Sequence, residues 1–475
     1  MQHVKIVVTI GPATNSRASL LDLAAAGMSV ARLNGSHADL AWHRAAVGLL
    51  RETVPTIPIL LDIPGRKVRT ISLAHEPSFG VDDRIVLTTD VAFDGHAKVP
   101  VNYESLHKEV KAGDTIFADD GTLRFTVVSV HGRDIVCRAM TAGTLRSRKG
   151  INVPFVAINA PLVTDGDRQM IAFASELGVD FIGISFVESG AHVGAVRDLV
   201  GRNTPRILAK VENQRGLDRL AEIVHEADAI MIDRGDLSVE TNLAHIALHQ
   251  KRIIESARRA GKPVVVATEM LHSMVTNDYP TKAEVVDISN AVLDGCSATM
   301  LSGETAIGKH PVAAVALMRS VLDASFDQMQ TRLNDATKRD VVASQGMIDA
   351  LALLLRSVPI TKIVAITRSG YAARMLSARS VSQPILAISD DEAAARSFNL
   401  LSGVEGFYSD APFPRGSADH IKACIQHLYD VSRLSSEDLL LVTGVIYPRR
   451  GTRMNMMQIH KVGDLIEEFG WAKPA

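Results

Sequence analysis

Residues 206–240 read RILAKVENQRGLDRLAEIVHEADAIMIDRGDLSVE and hold two apolar, strand-like runs, each ending in charged residues. In the first run Lys210 and Glu212 stand two residues apart, so the period of two along a strand aims both at one face. The second run ends at Arg234-Gly235-Asp236. Between them Leu217, Leu220, Ile223 and Val224 have helical spacing over residues 216–226, which predicts strand, helix, strand with the two strands parallel. Glu212 and Asp236 then converge at one end of one sheet. Two carboxylates beside a lysine suit a hard divalent cation, because magnesium accepts one or two carboxylates and leaves its other positions to water and substrate oxygens. The lysine would face the anion that such a cation holds. The plainer reading is a solvated ion pair, common at charged strand ends.

The same rhythm extends outward from this unit. Residues 4–10 are apolar and β-branched and stop at Gly11-Pro12, a buried strand. A helix follows, capped by Asn15 or Ser16, striped by Leu20, Leu21 and Leu23, and stopped by Gly27. Residues 28–33 form the next strand and run into the polar turn Asn34-Gly35-Ser36-His37; helix 40–53 and strand 57–61, ending at Asp62, complete three units. From about 70 to 160 the pattern changes to short strand-like runs (84–88, 115–117, 123–130, 134–137) separated by turns, which predicts a small β-rich insertion. Strands at 181–185, 207–212, 229–232, 264–268 and 298–301 then bring the total to eight. Eight strands alternating with helices favour a closed βα (TIM-type) barrel, with chemistry at the carboxyl ends. Strands 363–367, 385–389 and 439–443 point to a further α/β domain. The expected division is 1–69 with 161–330 for the barrel, 70–160 for the lid, and 331–475 for the C-terminal domain.

Length and composition narrow the class of protein. A chain of 475 residues supports two to four domains, and 47% hydrophobic with 22% charged residues is an ordinary globular balance. The formal net charge of -2 disfavours a nucleic-acid partner. Cys137, Cys296 and Cys424 lie far apart and form neither a zinc spacing nor a disulfide framework, so a cytoplasmic setting is expected. No apolar run approaches the roughly 18 residues of a membrane span.

In a barrel, the strand ends present Arg32, Asn34, Ser36, Asp62, Lys210, Glu212, Asp236, Thr268, Glu269, Ser302 and Glu304. Arg32 offers a fork for phosphate or carboxylate, while Lys210 is a compact point charge. With a metal ion they suit phosphoryl transfer, where catalysis is mostly positioning and charge stabilisation. Thr268 is placed to relay a proton through water. His37 after a turn and Trp42 on a helix read more simply as a solvated residue and a packed one. The loop 143–152, with Arg146, Arg148 and Lys149, is placed to close on phosphates or to remain solvated. Neither a Walker A loop nor a Rossmann glycine fingerprint is present.

Residues 5–12, 27–37, Asp119-Asp120-Gly121, Arg148-Lys149-Gly150-Ile151-Asn152, 209–213, Arg234-Gly235-Asp236, 260–270, Pro280-Thr281-Lys282-Ala283-Glu284 and 300–306 resemble, in that order, the pyruvate kinase family; the C-terminal third is similar but looser. The resemblance implies transfer of a phosphoryl group from phosphoenolpyruvate to ADP, giving pyruvate and ATP, by a homotetramer with Mg2+ or Mn2+. It implies Glu212 and Asp236 as metal ligands, Lys210 as stabiliser of the migrating phosphoryl group, and Arg32 as its phosphate contact. The Gly235 backbone, Asp236 and Thr268 would meet the substrate, with Thr268 also on the path that protonates the enolate. Pro12, Asn34, His37, Trp42, Arg69 and Lys149 fall on the nucleotide side.

The chain also departs from the family pattern. Residues 62–69 read DIPGRKVR; Asn34, Ser36, Asp62 and the Ile63 carbonyl match the family's potassium pocket, but Lys67 stands where many relatives carry glutamate. A fixed ammonium supplies the charge a potassium ion would, and members with this lysine do without one, so K+ is not expected to be required. Asp233 replaces a small neutral residue, Ser238 a glycine, and Glu269 a glutamine; two extra acids beside a metal site should raise cation affinity or be neutralised. The extra acids Asp233 and Glu269 motivate the alternative of a same-scaffold enzyme for a modified enolpyruvate substrate; a catalytically silent regulatory paralogue is a second alternative, opposed by the retention of Lys210, Glu212, Asp236 and Thr268. Thr367, Ser369 and Gly370 keep the family's phosphate loop, and Arg449, Arg450 and Arg453 follow later, so these six are candidates for holding a phosphorylated effector.

Overall fold

The computed structural model describes residues 2–119, 121–154, 156, 161–200, 204–333, 343–413, 419–444 and 454–472. Eight strands, β1 (Lys5–Thr9), β2 (Val30–Asn34), β3 (Ile59–Ile63), β4 (Phe181–Ile184), β5 (Arg206–Val211), β6 (Ala229–Asp233), β7 (Val264–Ala267) and β8 (Ala298–Leu301), close into a barrel in sequence order. Every pair is parallel. The period of two divides each strand between two cores. Ile207, Ala209 and Val211 of β5 and Ile230 and Ile232 of β6 pack outward with the helices, whereas Leu208, Ala229 and Met231 join Val7, Val30, Leu60 and Phe181 inside the barrel.

Local sequence sets the helix ends. Ser16 rather than Asn15 caps the first helix, Arg17–Ala26, by accepting from the Ser19 N–H, and Gly27 closes it at φ +123°. Thr164 and Asp167 form a capping box before Asp165–Glu176, as do Thr281 and Glu284 before Lys282–Asp294. The single helix expected over 216–226 is two, Gln214–Asp218 and Leu220–Glu226, broken at Arg219. The Asn213 side chain starts the first piece two residues early, at Gln214, by accepting from the Gly216 N–H at 2.7 Å, a local capping bond that the apolar spacing does not reveal.

The insertion after β3 is a seven-stranded sheet in the order Val68–Arg69, Gly150–Asn152, Thr115–Ala118, Leu123–His131, Asp134–Ala139, Arg84–Thr88, Val99–Pro100. The chain enters it already at Val68, which pairs with Ile151. That pairing places Asn152, and Lys67 just before Val68, next to the barrel mouth.

The C-terminal sheet has five strands in the order β11-β10-β9-β12-β13, where β9 is Lys362–Ile366, β10 Ile385–Ser389, β11 Val404–Tyr408, β12 Leu439–Gly444 and β13 Met456–Lys461. Strands β11 and β13 were not expected. They are the two edges, and their sequences VEGFY and MMQIHK are partly polar and lack the continuous apolar runs of β9, β10 and β12. The domain plugs the amino end of the barrel. Leu400 joins the barrel's inner core, a burial that contributes roughly 1.5–3 kcal/mol. Lys5 donates to the Val404 carbonyl at 2.7 Å, and buried Asp180 pairs with Arg51 of the barrel at 2.7 Å and Arg396 of the C-terminal domain at 2.9 Å.

Candidate active site

The inward parity of each strand fills the carboxyl end of the barrel with polar side chains. Thr9, Arg32, Asp62, Lys210 and Asp233 each follow an inward apolar residue by two positions, and Glu212 continues the face of Lys210. All six are buried. Gly183 occupies the equivalent place on β4, opposite Asp62 in register. A Cβ there would lie 2.0 Å from Asp62 Oδ1, so the position has to be glycine for Asp62 to enter.

Charge is arranged in pairs around this layer. Arg32 brings Nε and Nη2 to Asp62 Oδ2 at 2.9 and 2.8 Å and donates from Nη1 to Thr9 Oγ1 at 3.0 Å. Lys210 Nζ stands 2.6 Å from Glu212 Oε1, 3.1 Å from Asp233 Oδ2 and 3.7 Å from Asp62 Oδ2. Burial alone would lower the pKa of Lys210, but Glu212, Asp233 and Asp62 outweigh it and the net shift is upward, so the ammonium stays charged. Glu212 goes the other way. Desolvation, with Asp233 and Asp236 nearby, pushes it up to about 8 against the pull of Lys210. Its Oε2 accepts from the Phe186 N–H at 2.8 Å. Asp233 is likewise desolvated, yet Lys210 and Lys67 hold its pKa below the ordinary value.

Asp236 sits on the helix Arg234–Glu240 just beyond β6. Both of its oxygens meet Lys67 Nζ, at 2.6 and 2.8 Å, and Oδ1 also lies 3.3 Å from Asn152 Nδ2. Asn152 reaches Glu240 as well, at 2.8 Å. Glu240 is pushed up to about 7 by burial, with Asn152 opposing and Asp236 adding to the shift. Glu212, Asp233 and Asp236 present carboxylate oxygens that all lie within 4.8 Å of one another. Three hard oxygen donors at this spacing fit a divalent cation such as Mg2+ or Mn2+.

Thr268 adopts φ +67° and Glu269 φ +56°, costly for a β-branched residue. The distortion turns Thr268 Oγ1 toward the Gly235 N–H, which donates to it at 2.8 Å. Arg234 fixes the same turn, donating to the Thr268 carbonyl at 2.8 Å and pairing with Asp287 at 2.6 Å.

Around the mouth, Arg69 reaches the Arg148 carbonyl at 3.2 Å and Ser36 Oγ at 3.5 Å, and Lys149 pairs with Asp119 at 2.6 Å. The Asn34 side chain accepts from the Ser36 N–H at 3.1 Å. Pro12 is exposed and Trp42 half-buried, its ring edge-on to His43. His37 is solvent-exposed as a residue, and its pKa is lowered by partial desolvation of the ring and then by Arg69, Arg32, Lys149 and Arg148. Barrel and lid therefore share an electropositive rim suited to a polyanion.

Family profiles decide what these residues belong to: the pyruvate kinase barrel domain matches residues 1–315, and the pyruvate kinase alpha/beta domain matches 314–460. The chain belongs to the pyruvate kinase family. It is 36% identical to a pyruvate kinase of Mycobacterium intracellulare, over 97% of this chain and 98% of that one, and 35% identical to one of Bacillus licheniformis, over 98% and 81%. The crystal structure of a pyruvate kinase from Cryptosporidium parvum superposes with a TM-score of 0.84 at 30% identity, covering 97% of this chain and 96% of that one. As a member of this pyruvate kinase family, the protein is a phosphotransferase.

Not every expected residue joins the site. Glu269 is exposed, turned away by its left-handed backbone, and is not part of the carboxylate cluster, so only one of the two extra acids acts there. Glu304 is buried but structural: its oxygens accept from the Leu271 and Ser302 N–H groups at 3.1 and 2.7 Å. Ser238 donates to the Gly235 carbonyl at 2.8 Å. Lys67, expected beside Asn34, Ser36, Asp62 and Ile63, has its ammonium on Asp236 and near the Phe186 ring, 5.4 Å from the centroid. The sequence pattern does not single out Asn152 or Glu240. Their signal, a polar strand end on the lid and an acid four residues beyond Asp236, has meaning only once lid and barrel meet.

In the C-terminal domain, Thr367 Oγ1 accepts from the Gly370 N–H at 3.0 Å and Ser369 Oγ from the Tyr371 N–H at 3.4 Å. Arg449, Arg450 and Arg453 lie outside the described residues. Among the described residues no helix is long and apolar enough to cross a membrane.

Proposed function

We propose that this enzyme moves the phosphoryl group of phosphoenolpyruvate to ADP, giving pyruvate and ATP, without a potassium requirement. The observation that carries the reading is buried Lys210, fixed between Glu212 and Asp233 on the inner face of the barrel with its positive charge retained. A compact cation in a water-poor pocket is what a migrating phosphoryl group requires, since positioning and charge neutralisation supply most of that catalysis. Arg32 binds the phosphate from the other side. The Gly235 N–H and Thr268 Oγ1 hold the substrate carboxylate, and Thr268 lies on the route by which a proton reaches the enolate carbon. Glu212 and Asp236 are the residues for Mg2+ or Mn2+, which when bound supplies Lewis-acid charge to the substrate oxygens.

ADP and ATP are assigned to the rim built by Pro12, Asn34, His37, Trp42, Arg69 and Lys149. Lys67 supplies a fixed charge that takes the place of potassium, delivered at Asp236 rather than within the pocket of Asn34, Ser36, Asp62 and Ile63. Residues 1–67 with 161–330 act as the catalytic barrel, 68–160 as its lid, whose sheet begins at Val68, and 331–475 as the effector and assembly domain of a cytoplasmic homotetramer. Thr367, Ser369 and Gly370 are the first contacts for a phosphorylated effector.

Pyruvate formation from phosphoenolpyruvate and ADP, coupled to NADH oxidation, tests the reading. Turnover is expected with Mg2+ or Mn2+ in buffer free of potassium and ammonium. Background turnover under every cation condition would sink it in favour of a modified enolpyruvate substrate or a silent paralogue, and Lys210→Met leaving turnover unchanged would remove Lys210 from the chemistry.

A further inference from the structure

We propose that Asp233 is a third oxygen donor of the divalent-cation site, so that Glu212, Asp233 and Asp236 together hold the ion before substrate arrives. The proposal rests on the assignment of Glu212 and Asp236 to that ion.

Three observations carry it beyond mere proximity. First, strand parity and register direct the side chain. Met231 of β6 faces inward and pairs with Lys210 of β5, so Asp233, two residues on, faces inward beside Glu212. Second, Asp233 is the residue preceding the helix Arg234–Glu240, where an aspartate ordinarily caps by accepting from a first-turn N–H. Its side chain makes no such bond, and Oδ2 goes instead to Lys210 at 3.1 Å. Third, the cluster already attracts cations. Lys67 occupies Asp236, and Lys210 lies between Glu212 and Asp233. Fully buried Glu212 Oε1 meets the Lys210 ammonium at 2.6 Å as an ion pair without hydrogen-bond geometry.

Three carboxylates against two ammoniums leave one negative charge in excess when all are ionised, and a dication relieves that excess. Ligand charge and number set the affinity of hard-cation sites. With Asp233 as donor, the substrate-free protein should bind the ion tightly, and Lys67 must yield at least one oxygen of Asp236 as it does so.

Mn2+ titration of the full chain without phosphoenolpyruvate or nucleotide, read by the paramagnetic resonance of free Mn2+, is the test. Asp233→Asn is expected to weaken binding by about tenfold or more, and Asp233→Glu to recover part of the loss. Glu212→Gln serves as the reference for the site itself. Unchanged affinity in Asp233→Asn beside weakened binding in Glu212→Gln would overturn the proposal and leave Asp233 as a positioning residue for Lys210. Unchanged affinity in both would remove the Glu212 assignment and the proposal with it. Should Asp233→Asn not fold, Asp233→Ala, which buries no amide, takes its place in the same titration with the same outcomes.

Discussion

Lys67 Nζ lies 2.6 and 2.8 Å from the two carboxylate oxygens of Asp236, so a cation built into the lid hinge is already seated at the edge of the divalent site. Removing it leaves a nearly buried carboxylate without its counter-charge. Lys67→Met is expected to lower kcat by about 10²-fold in potassium-free buffer, the scale of losing one preorganised charge contact. Added potassium should restore part of that loss while leaving the wild-type rate unchanged. A wild-type rate that rises strongly with potassium would defeat this prediction.

Gly183 faces Asp62 with no room for a methyl group. Gly183→Ala should push Asp62 off Arg32 and cost about 1–3 kcal/mol of stability, as overpacked cores do. Because Arg32 is then no longer held, KM for phosphoenolpyruvate should rise more than kcat falls. Steady-state kinetics with urea unfolding decides it; an unchanged KM would show that Asp62 does not set the Arg32 position.

Asp180 is fully buried between two arginines from different domains and also accepts from the Ile59 N–H at 2.8 Å. Asp180→Ala leaves the partly buried Arg51 and Arg396 without their shared carboxylate, at an expected cost of about 3–5 kcal/mol. The urea midpoint should fall, and amide exchange should speed up along the contact between helix Glu392–Ser397 and the barrel. Exchange unchanged at that contact would argue against a clamp.

Lys5 at the base of the barrel is lowered to about 8, chiefly by burial, with Glu405 opposing and Arg319 adding to the shift. The unfolded chain, with an ordinary lysine pKa of about 10.4, binds more protons than the folded one between those values. Stability is therefore expected to be insensitive to Lys5 below pH 8 and to rise by at most about 1.4 kcal/mol per pH unit from 8 toward 10. Lys5→Met should abolish that rise. Urea midpoints of both proteins at pH 7.5, 8.5 and 9.5 (chosen to span the window roughly) check the sign; parallel curves would mean that Lys5 titrates normally.

The strands were legible because a parallel barrel buries both faces of each one, which writes continuous apolar runs such as 181–184 and 264–267 into the chain. The edge strands β11 and β13 were not, since an edge tolerates polar residues and leaves a weaker pattern. Period-two spacing was enough to put Lys210 and Glu212 on one face, and the charged strand ends were enough to mark the mouth.

What sequence determined by itself was the alternation of strand and helix and the identity of the polar residues at each strand end, because these follow from local periodicity and capping. Tertiary structure alone decided which of those residues share a site. Asp233, the last residue of β6, turns inward and Glu269, two residues past β7, turns outward; the parity of β6 fixes the first, and the left-handed backbone at Thr268 and Glu269 fixes the second. Lys67 reaches Asp236 only because the lid folds back over the barrel, a contact between residues 169 positions apart that no local pattern encodes.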